Sequence, residues 1–436
     1  MQPLDFLPRV LLLGSIAATI FAFGIATGTY KLFPYELLRS AKEAAVDLGE
    51  NHKSYLGIEP TKFLHNSSGV DGGVTVNNIG AAMPGLTLLT GIFDGKVGLQ
   101  LVGMDGSVVR RWNVSFNEIF PEAAHLVDRD VPWNDWDTHI HGAVALPDGS
   151  VVFNFEYMGL VKLGRCGAVV WKLPHATHHS VDIADDGTFW VPNRRITTQV
   201  NDKTLWFMKR PFREDTVLQV SSTGEVLHEF SLLRILAEAG YEGALLPTGA
   251  DDRRSELMHL NDVEVLRRDQ ASAFPMFAVG DLMVSMRNLN LVVVFDPESG
   301  YIKWHQTGPW LWQHDPDFAP LGRIVIFNNR RGIGDRPTFG GSNILEVDPK
   351  TRETDVIYKG SKDRPFFTAE MGQQQLLQNG NILITSSEQG RAFEVDRNGT
   401  IVWEFVNRYN EDSVALLNEA YRYKDDYFKV GDWSCD

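Results

Sequence analysis

A turn glycine followed by a short strand-forming run that ends in an aromatic residue recurs along this 436-residue chain. It reads Gly106-SVVRR-Trp112, Gly167-AVV-Trp171, Gly224-EVLHE-Phe230, Gly300-YIK-Trp304 and Gly399-TIV-Trp403. A degenerate copy, Lys350-TRETDVI-Tyr358, makes six. A second pattern lies upstream of most of them: an apolar strand that starts with His and reaches a turn Gly eight residues on. His141-GAVALPD-Gly149, His179-SVDIADD-Gly187 and His314-DPDFAPL-Gly322 show it. Gly372-QQQLLQN-Gly380 keeps the spacing without the His, and His259-LNDVEVL belongs to the same class with an insertion in place of its turn.

Units of roughly 40–80 residues with about four short strands each are the signature of a β-propeller. One four-stranded sheet cannot bury both faces; six arranged radially bury them against one another. The first strand of a blade lines the central channel. A His that opens this strand on several blades therefore aims several imidazoles at one axial site. The expected fold is all-β: a six-bladed β-propeller over residues 56–410, with blades near 70–113, 137–173, 178–230, 258–306, 313–359 and 369–406. The long inserts 195–217 and 232–257 fall between strands or blades. Residues 411–436 are expected to form a helix (SVALLNEAYRYKDDYF) and a tail.

Residues 1–55 read differently. Val10 to Tyr30 contains no charge and at ~1.5 Å per residue is long enough to cross the hydrocarbon of a bilayer. A transmembrane anchor is expected; a cleaved signal peptide passes the same test, although only loose small-x-small cleavage matches follow. Pro34 to Asn51 then reads as an amphipathic linker helix with Leu37, Leu38, Ala41, Ala45 and Leu48 on one face. The formal net charge of −15 argues against nucleic acid as a partner. The 39 glycines and 20 prolines are too few for a collagen-like or disordered chain. Two cysteines, Cys166 and Cys435, are too few for a disulfide framework; one bridge or two free thiols remain open.

The candidate chemistry sits on the repeated histidines His179, His259 and His314, with His178 beside the first. Arginines recur at the ends of the following strands: Arg194, Arg287, and the pair Arg330 and Arg331. A cation beside neutral imidazoles suits an oxyanion such as sulfate, phosphate or carboxylate. For each His alone, a buried ring bonded to backbone is the bland alternative. For each Arg it is an exposed strand end. Converging histidines also suit a metal, but the only pair at ligand spacing is His139-Ile-His141, and no metal is assigned. No P-loop occurs, and Gly332-Ile-Gly334 lacks a βαβ frame, so no nucleotide cofactor is expected.

The stretches THHSVDIADDGTFWVP (177–192), MHLNDVEVL (258–266), GDLMVSMRNLNLVVVFDPESGYIKWHQTG (280–308) and WQHDPDFAPLGRIVIFNN (312–329) resemble the bacterial arylsulfotransferase family. The resemblance spans roughly 130–406 and rests on the ordered set HH, HxND, SxR and QH. It implies a six-bladed propeller that moves a sulfuryl group from a phenolic sulfate ester to a phenol without a nucleotide donor or other cofactor. His314 falls where the family has the His that is transiently sulfated. His179 and His259 fall on the supporting histidines, Asn261 on the Asn of HxN, and Arg287 on the sulfate-binding Arg. His178, Arg194, Trp310 and Trp312 are further substrate-side candidates; for each Trp the bland alternative is packing between blades. The family's N-terminal β-sandwich has no room here. The resemblance places the propeller on the periplasmic or extracytoplasmic side, held by the anchor. The runner-up is a catalytically silent propeller serving as a scaffold subunit of a membrane assembly, and either reading admits a homo-oligomer. A metal-dependent lactonase or lyase fits the histidines, but inner-position carboxylates are not expected.

Overall fold

The second and third strands of several repeats are buried on both faces, as strands covered from both sides must be. Val151–Phe155, Leu282–Met286, Leu291–Phe295 and Ile382–Ser386 are buried at every position. The outermost strands are half exposed, as in Val169–Leu173. The computed structural model describes residues 6–67, 69–198, 204–208, 210–246, 257–332, 336, 337 and 339–435. Parts of the two long inserts, and Ile333 and Gly334 of the Gly332-Ile-Gly334 stretch, lie outside the described residues.

Six antiparallel sheets form six blades. From the axis outward, blade 2 runs Ile140–Ala145, Val151–Phe155, Gly159–Leu163 and Val169–Leu173; blade 3 runs Asp182–Ile183, Phe189–Thr197, Phe212–Val220 and Val226–Ser231. Blade 4 runs Leu260–Val265, Leu282–Met286, Leu291–Phe295 and Ile302–Thr307; blade 5 runs His314–Ala319, Arg323–Asn328, Asn343–Val347 and Thr354–Lys359. Blade 6 runs Gln373–Leu376, Ile382–Ser386, Arg391–Val395 and Ile401–Val406, with Gly73–Asn77 added at its outer edge. The eight-residue spacing is the first hairpin of a blade: Gly149, Gly187, Gly322 and Gly380 take φ of +81°, +79°, +72° and +84°, a region favourable to glycine.

At three of the six junctions the repeated Trp bonds one blade to the next. Blade 1 runs Leu417–Tyr423, Leu86–Phe93, Lys96–Val102 and Val108–Asn113; its Trp112 donates its indole N–H to Gly164 O of blade 2 at 3.3 Å, and Trp171 of blade 2 to Ser222 O of blade 3 at 3.0 Å. Trp403 of blade 6 donates to Met104 O of blade 1 at 3.0 Å and closes the circle. All three carbonyls lie in the turn before the outermost strand. Burial of one such ring is worth on the order of 4–6 kcal/mol before entropic costs.

The C-terminal expectation is corrected. No helix forms at 411–436: Ser413–Ala415 pairs with Leu64–Asn66, and Leu417–Tyr423 is the innermost strand of blade 1, paired with Leu86–Phe93. Blade 1 therefore starts at Leu86 rather than near residue 70, because Gly73–Asn77 went to blade 6. Without Leu417–Tyr423 the inner edge of Leu86–Phe93 would be left unpaired, and that demand overrides the local preference of Leu, Glu and Ala for helix. Arg422 fixes the register: fully buried, it meets Glu394 of blade 6 at 3.3 Å and donates to Thr87 Oγ1 at 2.6 Å. The chain then straps blade 2. Tyr427 donates its hydroxyl to Ala145 O at 2.8 Å, and Cys435 is disulfide-bonded to Cys166.

The chain divides into two compact units, Met1–Lys62 and Phe63–Asp436. In the first, a helix over Phe6–Tyr30 includes Pro8–Tyr30, with a mean hydropathy of 2.2, long and apolar enough to cross a membrane; a signal sequence would look the same. A second helix, Tyr35–Tyr55, leaves Leu37, Leu38 and Leu48 exposed.

Candidate active site

Four of the six inner strands carry a register shift near their start: between Ile140 and Ala143, Leu260 and Asp262, His314 and Asp317, and Leu417 and Glu419. A bulge repeated at one level re-aims the side chains around it. At this level the histidines meet. The ring of His179 lies 4.5 Å from His141, 5.0 Å from His259 and 6.4 Å from His314, centre to centre. His179 and His259 hold left-handed backbone, φ +59° and +52°, a costly state for a non-glycine residue.

Hydrogen bonds set the orientation of His314. Asn329 donates through Nδ2 to Thr368 O at 3.1 Å and Met371 O at 2.6 Å, which fixes its amide. Its Oδ1 faces His314 Nδ1 at 2.7 Å. Asn261 donates to Gln313 O at 2.7 Å, and Gln313 reaches back to Ser285 Oγ at 3.2 Å, tying blade 4 to blade 5 beside His314. The Arg287 backbone N–H donates to His259 O at 3.1 Å. Its guanidinium lies 4.7 Å from the Trp312 ring, whose other cation neighbour is Arg331 at 4.8 Å.

Electrostatics separate the imidazoles. Burial and then the Arg287 charge hold His314 well below the ordinary imidazole range. Burial and then His141 and His178 do the same to His179. These two rings are neutral at pH 7. Burial works against protonating His141 too, yet the Glu156 carboxylate outweighs it and pushes this ring up. Glu156 is buried between imidazoles, with Oε2 at 3.2 Å from His141 Nδ1 and Oε1 at 3.2 Å from His179 Nδ1.

His141, His179, Asn261 and His314 line one end of an axial cavity of about 490 Å³. His259 stands against His179, and Arg287 beside Trp312. His178 is buried with its Nδ1 2.7 Å from His179 Nδ1. Arg194 lies further out, 3.6 Å over the Tyr157 ring, which covers His178 at 4.5 Å. Trp310 is not at the mouth. It is buried among Met283, Val292, Phe318 and Ile324 between blades 4 and 5 and donates to Asn290 O at 2.7 Å. It serves the inter-blade packing that was the alternative reading for it.

A second correction concerns charge. Asp182, Asp262, Glu264, Asp315, Asp317 and Glu419 all line the cavity. Alternation places Asp262 and Glu264 on the same face of their strand, and the bulge at Asp315 brings it to the cavity beside Asp317. Burial and mutual repulsion push Asp262, Glu264, Asp315 and Asp317 well above the usual carboxylate range, and burial raises Glu419 to about 7. Glu156 and Asn329 were not singled out from the sequence, although Asn329 closes the quoted stretch IVIFNN. Glu156 follows a buried strand in a turn and carries no repeat signature.

Residues 142–408 match the family model described as Arylsulfotransferase (ASST). No curated protein matches the chain. Similar solved structures include a protein of unknown function from Bacteroides caccae, 14% identical with a TM-score of 0.48 over 77% of this chain and 98% of that one. A streptogramin B lyase is 12% identical with a TM-score of 0.40 over 78% and 88%. The Dos1 propeller is 11% identical with a TM-score of 0.39 over 81% and 77%.

Proposed function

The chain belongs to the arylsulfotransferase family, and from that premise we propose that it transfers a sulfuryl group from a phenolic sulfate ester to a phenol through a sulfated His314. The observation that carries the proposal is the meeting of His179 and His314 at one cavity, with the His259 ring against His179, His314 neutral and Arg287 close enough to depress it.

Sulfuryl transfer spreads negative charge over the sulfonate oxygens, so positioning and cationic donors supply most of what the reaction needs. Neutral His314 attacks sulfur in line with the departing phenolate. Its Nδ1 faces the Asn329 oxygen, which leaves Nε2 as the attacking atom. Arg287, with Asn261 and His259, holds the sulfonate oxygens. The phenolate leaves and takes a proton from water. In the second half-reaction the acceptor phenol gives its proton to neutral His179, and its oxygen displaces His314 from sulfur. The aryl groups occupy the axial cavity. Its raised carboxyls are shifted toward the protonated, hydrogen-bonding form and so repel an anionic ester less.

We further propose that the N-terminal helix anchors the propeller outside the cytoplasm. The Cys166–Cys435 bridge supports this, because disulfides persist in oxidising compartments. The test is incubation with 4-nitrophenyl sulfate alone, followed by mass analysis of the His314 peptide, then addition of a phenol. A sulfuryl adduct on that peptide that disappears with phenol is expected. Wild-type transfer by His314→Asn would reject the assignment. A topology reporter fused at the C-terminus checks the placement, and a cytoplasmic signal refutes it.

A further inference from the structure

The first hairpin of blade 2 brings together three metal-ligating side chains that sulfuryl transfer does not use. His139 immediately precedes the strand Ile140–Ala145 and His141 lies in its opening bulge, which brings the two rings together. The partner strand runs Val151–Phe155 with Ile140 opposite Phe155, and the Glu156 N–H donates to His139 O at 3.1 Å. Glu156 therefore emerges beside His139 by backbone register alone. One ligand atom from each of His139, His141 and Glu156 lies within 4.8 Å of the others. The two imidazole centres stand 6.2 Å apart.

We propose that His139, His141 and Glu156 bind one divalent first-row transition ion, with Zn²⁺ the best match for two imidazoles and a carboxylate. A tetrahedral Zn²⁺ at ~2.0–2.1 Å from its ligands sets them about 3.3 Å apart. His141 Nδ1 and Glu156 Oε2 stand at 3.2 Å, close to that separation. The neighbouring set of Glu156, His178 and His179 fits less well: the two Nδ1 atoms are 2.7 Å apart, a hydrogen-bond separation too short for two ligands of one ion. The two sets share Glu156, so the ion has a consequence for the reacting group. With Oε2 on the metal, Oε1 stays against His179 Nδ1 at 3.2 Å. The ion acts as a positioning group that locks Glu156, and Glu156 in turn fixes the His179 ring, as outer carboxylates do around metal-bound histidines.

The competing occupant of the same space is a proton on His141, with no metal. The test uses the full-length protein in detergent, stripped with a chelator, dialysed and titrated with ZnCl₂ against a chromophoric competitor. One Zn²⁺ per chain is expected, and zinc-edge X-ray absorption should report nitrogen and oxygen ligands at ~2.0–2.1 Å. His139→Ala should weaken binding at least about tenfold, while Asp317→Asn, a change in the acidic cavity, should keep it. Absence of stoichiometric binding, or Zn²⁺ retained by His139→Ala and lost by Asp317→Asn, overturns the site. If His139→Ala fails to fold, the wild-type absorption spectrum decides: an all-oxygen shell rejects the assignment. These readouts need no turnover, so they stand or fall separately from sulfuryl transfer.

Discussion

Nδ1 of His314 faces Oδ1 of Asn329 at 2.7 Å, and that oxygen can only accept. The amide cannot turn over, because its Nδ2 already donates to Thr368 O and Met371 O. The proton therefore sits on Nδ1, and the lone pair on Nε2 is available to attack. Asn329→Leu should release the tautomer and lower the rate of His314 sulfation. A loss of ten- to a thousandfold is expected, below the roughly 10⁴-fold seen when a triad His takes the wrong tautomer. Rapid-quench measurement of the sulfation burst, with circular dichroism to verify folding, checks it. An unchanged burst would show that Asn329 is only a packing residue.

Arg287 should not tolerate lysine. Its guanidinium presents a planar fork and lies over Trp312, whereas an ammonium is a point charge. Arg287→Lys is expected to cost about a hundredfold in kcat/KM, the scale of one oxyanion donor. A loss below about threefold would make Arg287 a strand-end residue with no part in the reaction.

The pH profile should betray the buried nucleophile. An imidazole at the ordinary 6.5 would lose about eightfold in its neutral fraction between pH 7 and pH 5.5. His314 is held well below that by burial and by Arg287; His141, His179 and His259 face the same space, and the Asn329 hydrogen bond pulls the other way without winning. The sulfation half-reaction is therefore expected to lose less than twofold over that range. Stability follows the opposite course. Below pH 6.5 the unfolded chain binds a proton that folded His314 refuses, so stability falls as pH falls. A parallel loss of sulfation rate matching the ordinary titration would contradict the assignment.

The strap over blade 2 should matter to stability more than to chemistry. Cys435→Ser is expected to destabilise by about 2–4 kcal/mol, read as a lower Tm, with kcat within twofold at 25 °C. Wild-type protein in reductant should match the variant. Equal Tm values with and without reductant would mean that the bridge adds nothing.

The outer half of the ring was legible because Gly-strand-Trp is a local signal: the turn and the ring that caps the next blade lie within a few residues. His179, His259 and His314 were legible because each opens an inner strand. What escaped was set by distance in sequence. Leu417–Tyr423 reads as a helix until Leu86–Phe93 presents an empty edge, more than three hundred residues earlier. Glu156 is an ordinary acidic residue until a hairpin register turns it toward His141. The inner acids were in plain view in VEVL and HDPD, but their facing depends on bulges that no residue type announces.

Closing blade 1 with Leu417–Tyr423 has a consequence for how the protein is made. Tyr423 pairs with Leu86, so the ring stays open until everything between them has been synthesised. His179, His259 and His314 all precede that strand and are assembled around an axis that does not yet exist. A chain halted before Leu417 would carry all three without a closed ring to hold them. Synthesis must therefore reach Tyr423 before the ring around the three histidines can close.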